Sequence, residues 1–99
     1  MTNFIDSFSP SLLIDYAVDL VKMFQRLQGD SKYLIYKKLF ERLSGMVFSQ
    51  SGEVIIIAWT DLSQLTNLEL LLDMLGPLTN IIFKNLSRYE KNRFYALIL

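Results

Sequence analysis

Residues 46–60 read MVFSQSGEVIIIAWT, and the fold turns on them. Val47-Phe48, the polar stretch Gln50-Ser51-Gly52-Glu53 and the run Val54-Ile55-Ile56-Ile57-Ala58-Trp59 have the form of a β-hairpin with glycine in its turn. The second strand is apolar on both faces, which calls for cover on both sides. A two-stranded hairpin is marginal alone, so the pattern asks for another strand from this chain or a neighbour.

Upstream, Ser9 and Pro10 mark a helix start, with Ser9 capping and Pro10 in the first turn. This helix is expected to run to about Gln28 and to close at Gly29. Asp15, Asp19, Lys22 and Arg26 share one narrow strip, with acids early and bases late to suit the helix dipole. Nearly everything else on it is apolar, about twice the width of an ordinary surface stripe. Such a helix is either central or shared with a second chain. Asp30 or Ser31 caps a second helix to about Ser44, with Tyr33, Ile35, Tyr36, Leu39, Phe40 and Leu43 on its buried side.

Downstream, Asp61 can start a third helix, and Thr66-Asn67-Leu68-Glu69 matches a capping box for a later start. Leu65, Leu68, Leu71, Leu72 and Leu75 form its expected buried face, with Leu70 and Met74 pointing elsewhere. Gly76-Pro77 should end it and open the next. Leu78, Ile82, Leu86 and Tyr89 recur at helical spacing, which predicts helix to about Asn92. The alternative for this segment is a strand at Asn80–Leu86 and another at Arg93–Leu99. Phe94 to Leu99 is an apolar tail expected to dock. The fold class expected is therefore α+β: two N-terminal helices, a hairpin, then one or two C-terminal helices, in a single small domain spanning residues 1–99.

The chain has no histidine and no cysteine among its 99 residues. That removes the usual base near neutral pH, the usual zinc ligands, disulfides and Cys–His nucleophiles. Asp15 with Asp19 lacks a third ligand for a metal. Glu53 and Asp61 would lie at opposite ends of the hairpin strand, so they do not form an acid/base pair. No enzyme activity, cofactor or metal is expected. Ten Lys+Arg balance ten Asp+Glu, which counts against a nucleic-acid partner. The N-terminus MTNFID lacks the basic segment of a signal peptide, no stretch is long enough to span a membrane, and a cytoplasmic location is expected.

With 52% apolar residues, more greasy surface is present than so small a body hides alone. The function expected is a protein–protein interaction module, an adaptor or inhibitor, that forms a homodimer. Ile14, Val18 and Val21 on the first helix and Trp59 on the strand are the candidate shared surface. Lys37, Lys38 and Arg42 are candidates for an acidic protein partner. The alternatives are a nucleic-acid-associated regulator using the basic blocks 22–42 and 84–93, or a small-ligand carrier with a pocket lined by Phe, Met and Tyr.

Overall fold

The computed structural model describes residues 2–64 and 66–98. Six helices follow one another: α1 (Thr2–Asp6), α2 (Pro10–Phe24), α3 (Ser31–Leu43), α4 (Ser51–Leu62), α5 (Leu68–Asn85) and α6 (Arg88–Ile98). Among the described residues there is no strand, so the α+β expectation and its hairpin are overturned.

The stretch that reads as a hairpin is α4. Its buried positions are Ser51, Val54, Ile55, Ala58 and Leu62, a spacing of three and four that puts them on one helical face. Ile56 is 56% exposed, and Glu53 and Thr60 also face solvent. Four β-branched residues in a row each cost up to about 0.7 kcal/mol of helix propensity relative to alanine. Complete burial of Val54 and Ile55 returns roughly 1.5–3 kcal/mol apiece, so packing overrides the local preference. The backbone of a helix also bonds to itself, whereas a hairpin here has no third strand to lean on. Gln50 to Glu53 form not a turn but the helix start, with Glu53 favourably placed in its first turn.

The would-be first strand, Met46 to Phe48, is a connector between α3 and α4. Its pairing comes from one side chain. The Phe48 N–H donates to Asn85 Oδ1 at 2.8 Å, and Asn85 Nδ2 donates to the Met46 carbonyl at 2.9 Å and the Ile81 carbonyl at 3.0 Å. The Asn85 amide thus does for this segment what a neighbouring strand would do in a sheet.

α2, α3, α5 and α4 contact one another in that order and close a ring, with α1 against α3. The body measures 35 × 33 × 19 Å, and its thin dimension fits two layers of helices. The ring interior is filled from α2 by Leu13, Ala17, Val21 and Phe24, from α3 by Ile35, Tyr36, Leu39 and Phe40, and from α5 by Met74, Leu78, Ile81 and Ile82. Tyr36 meets Phe24 edge-on at 5.4 Å and Phe40 at 5.7 Å.

Side-chain caps set the starts of α2, α5 and α6, whereas α3 and α4 begin without one: Asp30, the expected cap of α3, makes no side-chain capping bond. Ser9 accepts from the Leu12 N–H at 3.4 Å, and Pro10 occupies the first turn of α2. This helix stops at Phe24, four residues short of expectation, and Gly29 takes φ +82° in the loop that follows. α3 matches its expected range and face. Asp61 does not start a helix; it lies in the last turn of α4, and the Asn67 side chain caps α5 instead.

α5 runs through Gly76-Pro77 rather than breaking there. Pro77 cannot bond the Asp73 carbonyl, but Asp73 is on the exposed side, where water reaches it. The buried stripe Met74, Leu78, Ile81 and Ile82 keeps its phase across the proline. That phase also corrects the expected face: Met74 is buried, while Leu68 and Leu72 are 67% and 57% exposed.

The last segment is helical, as expected, but broken at Leu86-Ser87. Ser87 and Glu90 form a reciprocal capping box: the Glu90 N–H donates to Ser87 Oγ at 3.2 Å, and the Ser87 N–H donates to Glu90 Oε1 at 3.1 Å. Bonding to the Ser87 backbone N–H, then to its side chain, lowers the Glu90 pKa below the ordinary carboxylate value. Phe94 of the apolar tail docks against Trp59 at 6.2 Å. Leu65 and the side chains of residues 97–99 lie outside the described residues.

Gly52 separates the two readings of α4. A Cβ there would meet Glu90 and Leu86 atoms only at 3.9 Å, an ordinary contact. Gly52→Ala should therefore raise stability by about 0.5–1 kcal/mol, read as a higher urea midpoint at unchanged slope. A glycine of a hairpin turn would lose stability on the same change.

Candidate functional site

The most closely knit set of polar side chains joins α3 and α4, which lie diagonally across the ring. Lys32 Nζ sits 2.7 Å from Asp61 Oδ1, and the Tyr36 hydroxyl donates to Asp61 Oδ2 at 2.7 Å. Lys32 and Tyr36 are one helical turn apart, so both reach the same carboxylate. Lys32 Nζ also lies 3.4 Å from the Gln25 carbonyl at the end of α2, where a cation suits the helix dipole. Lys32 and Asp61 are only 11% and 12% exposed, and Tyr36 is fully buried.

This set is closed on itself. Lysine, carboxylate and phenol each have a partner, and no buried side-chain polar atom among the described residues lacks one. Burial, then the hydrogen bond to Asp61, raise the Tyr36 pKa far above its ordinary value, which holds its proton rather than making a nucleophile. The network is a structural tie across the ring. Among the described residues no group of three or more Asp or Glu could hold a metal.

The residues expected to bind partners are dispersed. Val18 and Val21 face the core, Ile14 is half-buried, and Trp59 is half-buried against Phe94. The three α3 bases turn to their own chain. Lys37 pairs with Asp73 at 3.9 Å and Lys38 with Asp6 at 3.2 Å. Arg42 Nη1 donates to the Ile5 and Phe8 carbonyls at 2.7 and 2.9 Å, tying the end of α1 to α3. These seven residues do not form one surface.

α2 does present apolar surface, on its opposite side. Leu12, Tyr16 and Met23 fall within a narrow arc at about 100° per residue, and each is nearly half exposed. Phe4 joins them through an aromatic ladder, Phe4–Phe8 at 5.2 Å and Phe8–Tyr16 at 6.4 Å. Phe4, Phe8, Tyr16, Leu20 and Met23, with Asp19 at the edge, line a shallow hollow of about 290 Å³. Asp15, Asp19 and Lys22 border the row. In the sequence this row is hidden because α2 is apolar on almost every side, and nothing local says which part faces inward.

No helix among the described residues is long and apolar enough to cross a membrane. No protein-family model, no curated protein and no solved structure matches the chain.

The raised Tyr36 pKa makes a signed prediction. Folding favours the protonated phenol, so its contribution is fully present below the unfolded value of about 10 and is lost as pH rises beyond it. Stability measured by urea unfolding should fall more steeply above pH ~10 in the native chain than in Tyr36→Phe. Asp61→Ala, which strands Lys32 and Tyr36, should cost about 2–4 kcal/mol at neutral pH.

Proposed function

We propose that this protein is a non-catalytic interaction module that pairs with a second copy of itself through the outer face of α2. The observation that carries this reading is the exposed row Phe4, Leu12, Tyr16 and Met23, bordered by Asp15 and Asp19 and, toward the helix end, by Lys22. Two copies of α2 laid antiparallel about a two-fold axis set Asp15 and Asp19 of each against the Lys22 end of the other. A two-fold interface repeats every such contact twice, and one patch serves both partners.

Magnitudes favour a modest dimer. Full burial of a large apolar side chain contributes roughly 1.5–3 kcal/mol, and these are already about half-buried. Four on each copy give a gross gain of about 6–12 kcal/mol, and the upper end of that range less the lowest association cost of about 4 kcal/mol places dimerisation in the micromolar range. The non-catalytic part rests on the missing histidine and cysteine and on the closed Lys32–Asp61–Tyr36 set. On this reading the dimer acts in the cytoplasm by binding, adapting or inhibiting another protein.

Light scattering at tens of micromolar should give about twice the chain mass of 11.5 kDa. Tyr16→Glu should return the monomer with an unchanged helical circular dichroism spectrum. Asp15→Lys with Asp19→Lys should weaken pairing, and adding Lys22→Asp should restore it. A native chain that stays monomeric at about 100 μM would overturn the proposal.

A further inference from the structure

The two basic blocks of the chain meet different fates. In the 22–42 block, Lys32, Lys37 and Lys38 are paired with Asp61, Asp73 and Asp6, and Arg42 holds carbonyls. In the 84–93 block, Lys84, Arg88, Lys91 and Arg93 form no ion pair with any described residue. The one acid among them, Glu90, is turned back onto the Ser87 backbone by the capping box. Four cations therefore lie at the α5–α6 corner in no ion pair with a described residue, with the Glu90 carboxylate among them.

The same corner exposes aromatic rings. Phe83 is 59% and Tyr89 70% exposed. Lys91 lies over the Phe83 ring at 4.9 Å and Arg93 over the Tyr89 ring at 5.9 Å. Each cation–ring pair holds a flat apolar face next to a positive charge. At about 100° per residue, Lys91 and Arg93 project from opposite flanks of α6. Beside Arg93 a cleft of about 150 Å³ has an apolar floor of Ile56, Leu86 and Phe94, with Gly52 and Glu90 completing its lining.

Paired cations and exposed rings answer two demands at once: phosphates need the cations, and unstacked bases need flat faces. An acidic polypeptide would use the cations and leave the rings without a role. Double-stranded nucleic acid keeps its bases stacked inside and would also use the charges alone. We infer that the α5–α6 ridge, formed by Phe83, Lys84, Arg88, Tyr89, Lys91 and Arg93, binds single-stranded nucleic acid by stacking bases on the two rings and pairing phosphates with the four cations. This surface is separate from the α2 face, so it stands whether or not the chain dimerises. The zero net charge of the chain does not oppose it, because Asp61, Asp73 and Asp6 are engaged with Lys32, Lys37 and Lys38 away from this corner.

The test is fluorescence anisotropy of a labelled oligothymidylate of about 20 nucleotides, a length that spans more than one single-strand site, with the full chain. Binding in the micromolar range at about 50 mM salt is expected, weakening about 20- to 50-fold by 200 mM as three or four phosphate contacts are screened. Phe83→Ala and Tyr89→Ala should each weaken binding at least about fivefold. Lys84→Ala with Arg88→Ala, two exposed side chains that pair with no described residue, should weaken it and flatten the salt dependence. The single tryptophan, Trp59, packs on the cleft residue Phe94 and gives an independent fluorescence signal. No binding at about 100 μM chain would overturn the assignment. So would equal affinity for duplex DNA. Displacement by polyglutamate together with indifference to both aromatic substitutions would instead make the ridge an acidic-protein site.

Discussion

Burial of residues 51–62 as a helix between α2 and α5 is the constraint on which the rest of this fold depends. Val54, Ile55, Ala58 and Leu62 are fully buried at helical spacing. Once this segment bonds its own backbone, no sheet is needed, and four helices close a ring around one interior. The ring brings α3 and α4 to opposite corners. There Asp61, one residue from the end of α4, meets Lys32 and Tyr36. A buried carboxylate with two donors gives little net energy compared with an apolar substitute, but losing either donor would be costly. The tie therefore constrains the relative placement of α3 and α4 more than it adds stability.

How much was legible in the sequence follows from how local each cause is. Ser9-Pro10 and the stripe Tyr33 to Leu43 act within one or two turns, and they placed the start of α2 and the span and face of α3, although Asp30 makes no side-chain cap. The β-branched run Val54 to Ile57 has a local preference for strand, which tertiary packing reversed. The burial pattern was present at 51, 54, 55, 58 and 62, but Ile56 and Ile57 filled the gaps and hid the period. Ser87-Arg88-Tyr89-Glu90 has capping-box spacing and could have marked the break before α6. Lys32 and Asp61 are 29 positions apart, and no spacing rule joins them. Val18 and Val21 were expected on a shared surface and lie in the core. Their helix is apolar nearly all round, so only its neighbours decide which side turns inward.

The charges tell a similar story at larger scale. Three lysines of the 22–42 block pair within the chain, Lys32 with Asp61, Lys37 with Asp73 and Lys38 with Asp6. What remains at the surface is asymmetric. α2 displays an apolar row with mixed charge beside it, suited to a copy of itself. The α5–α6 corner displays cations and rings, suited to a flexible polyanion.

Carbon chemical shifts of Val54 to Ile57, from a backbone NMR assignment, test the central claim most directly. A helix requires Cα shifts displaced downfield of random-coil values across all four residues. Upfield Cα shifts there, with cross-strand contacts to Val47 or Phe48, would restore the hairpin and contradict the ring, the Asp61 tie and both surfaces built on it.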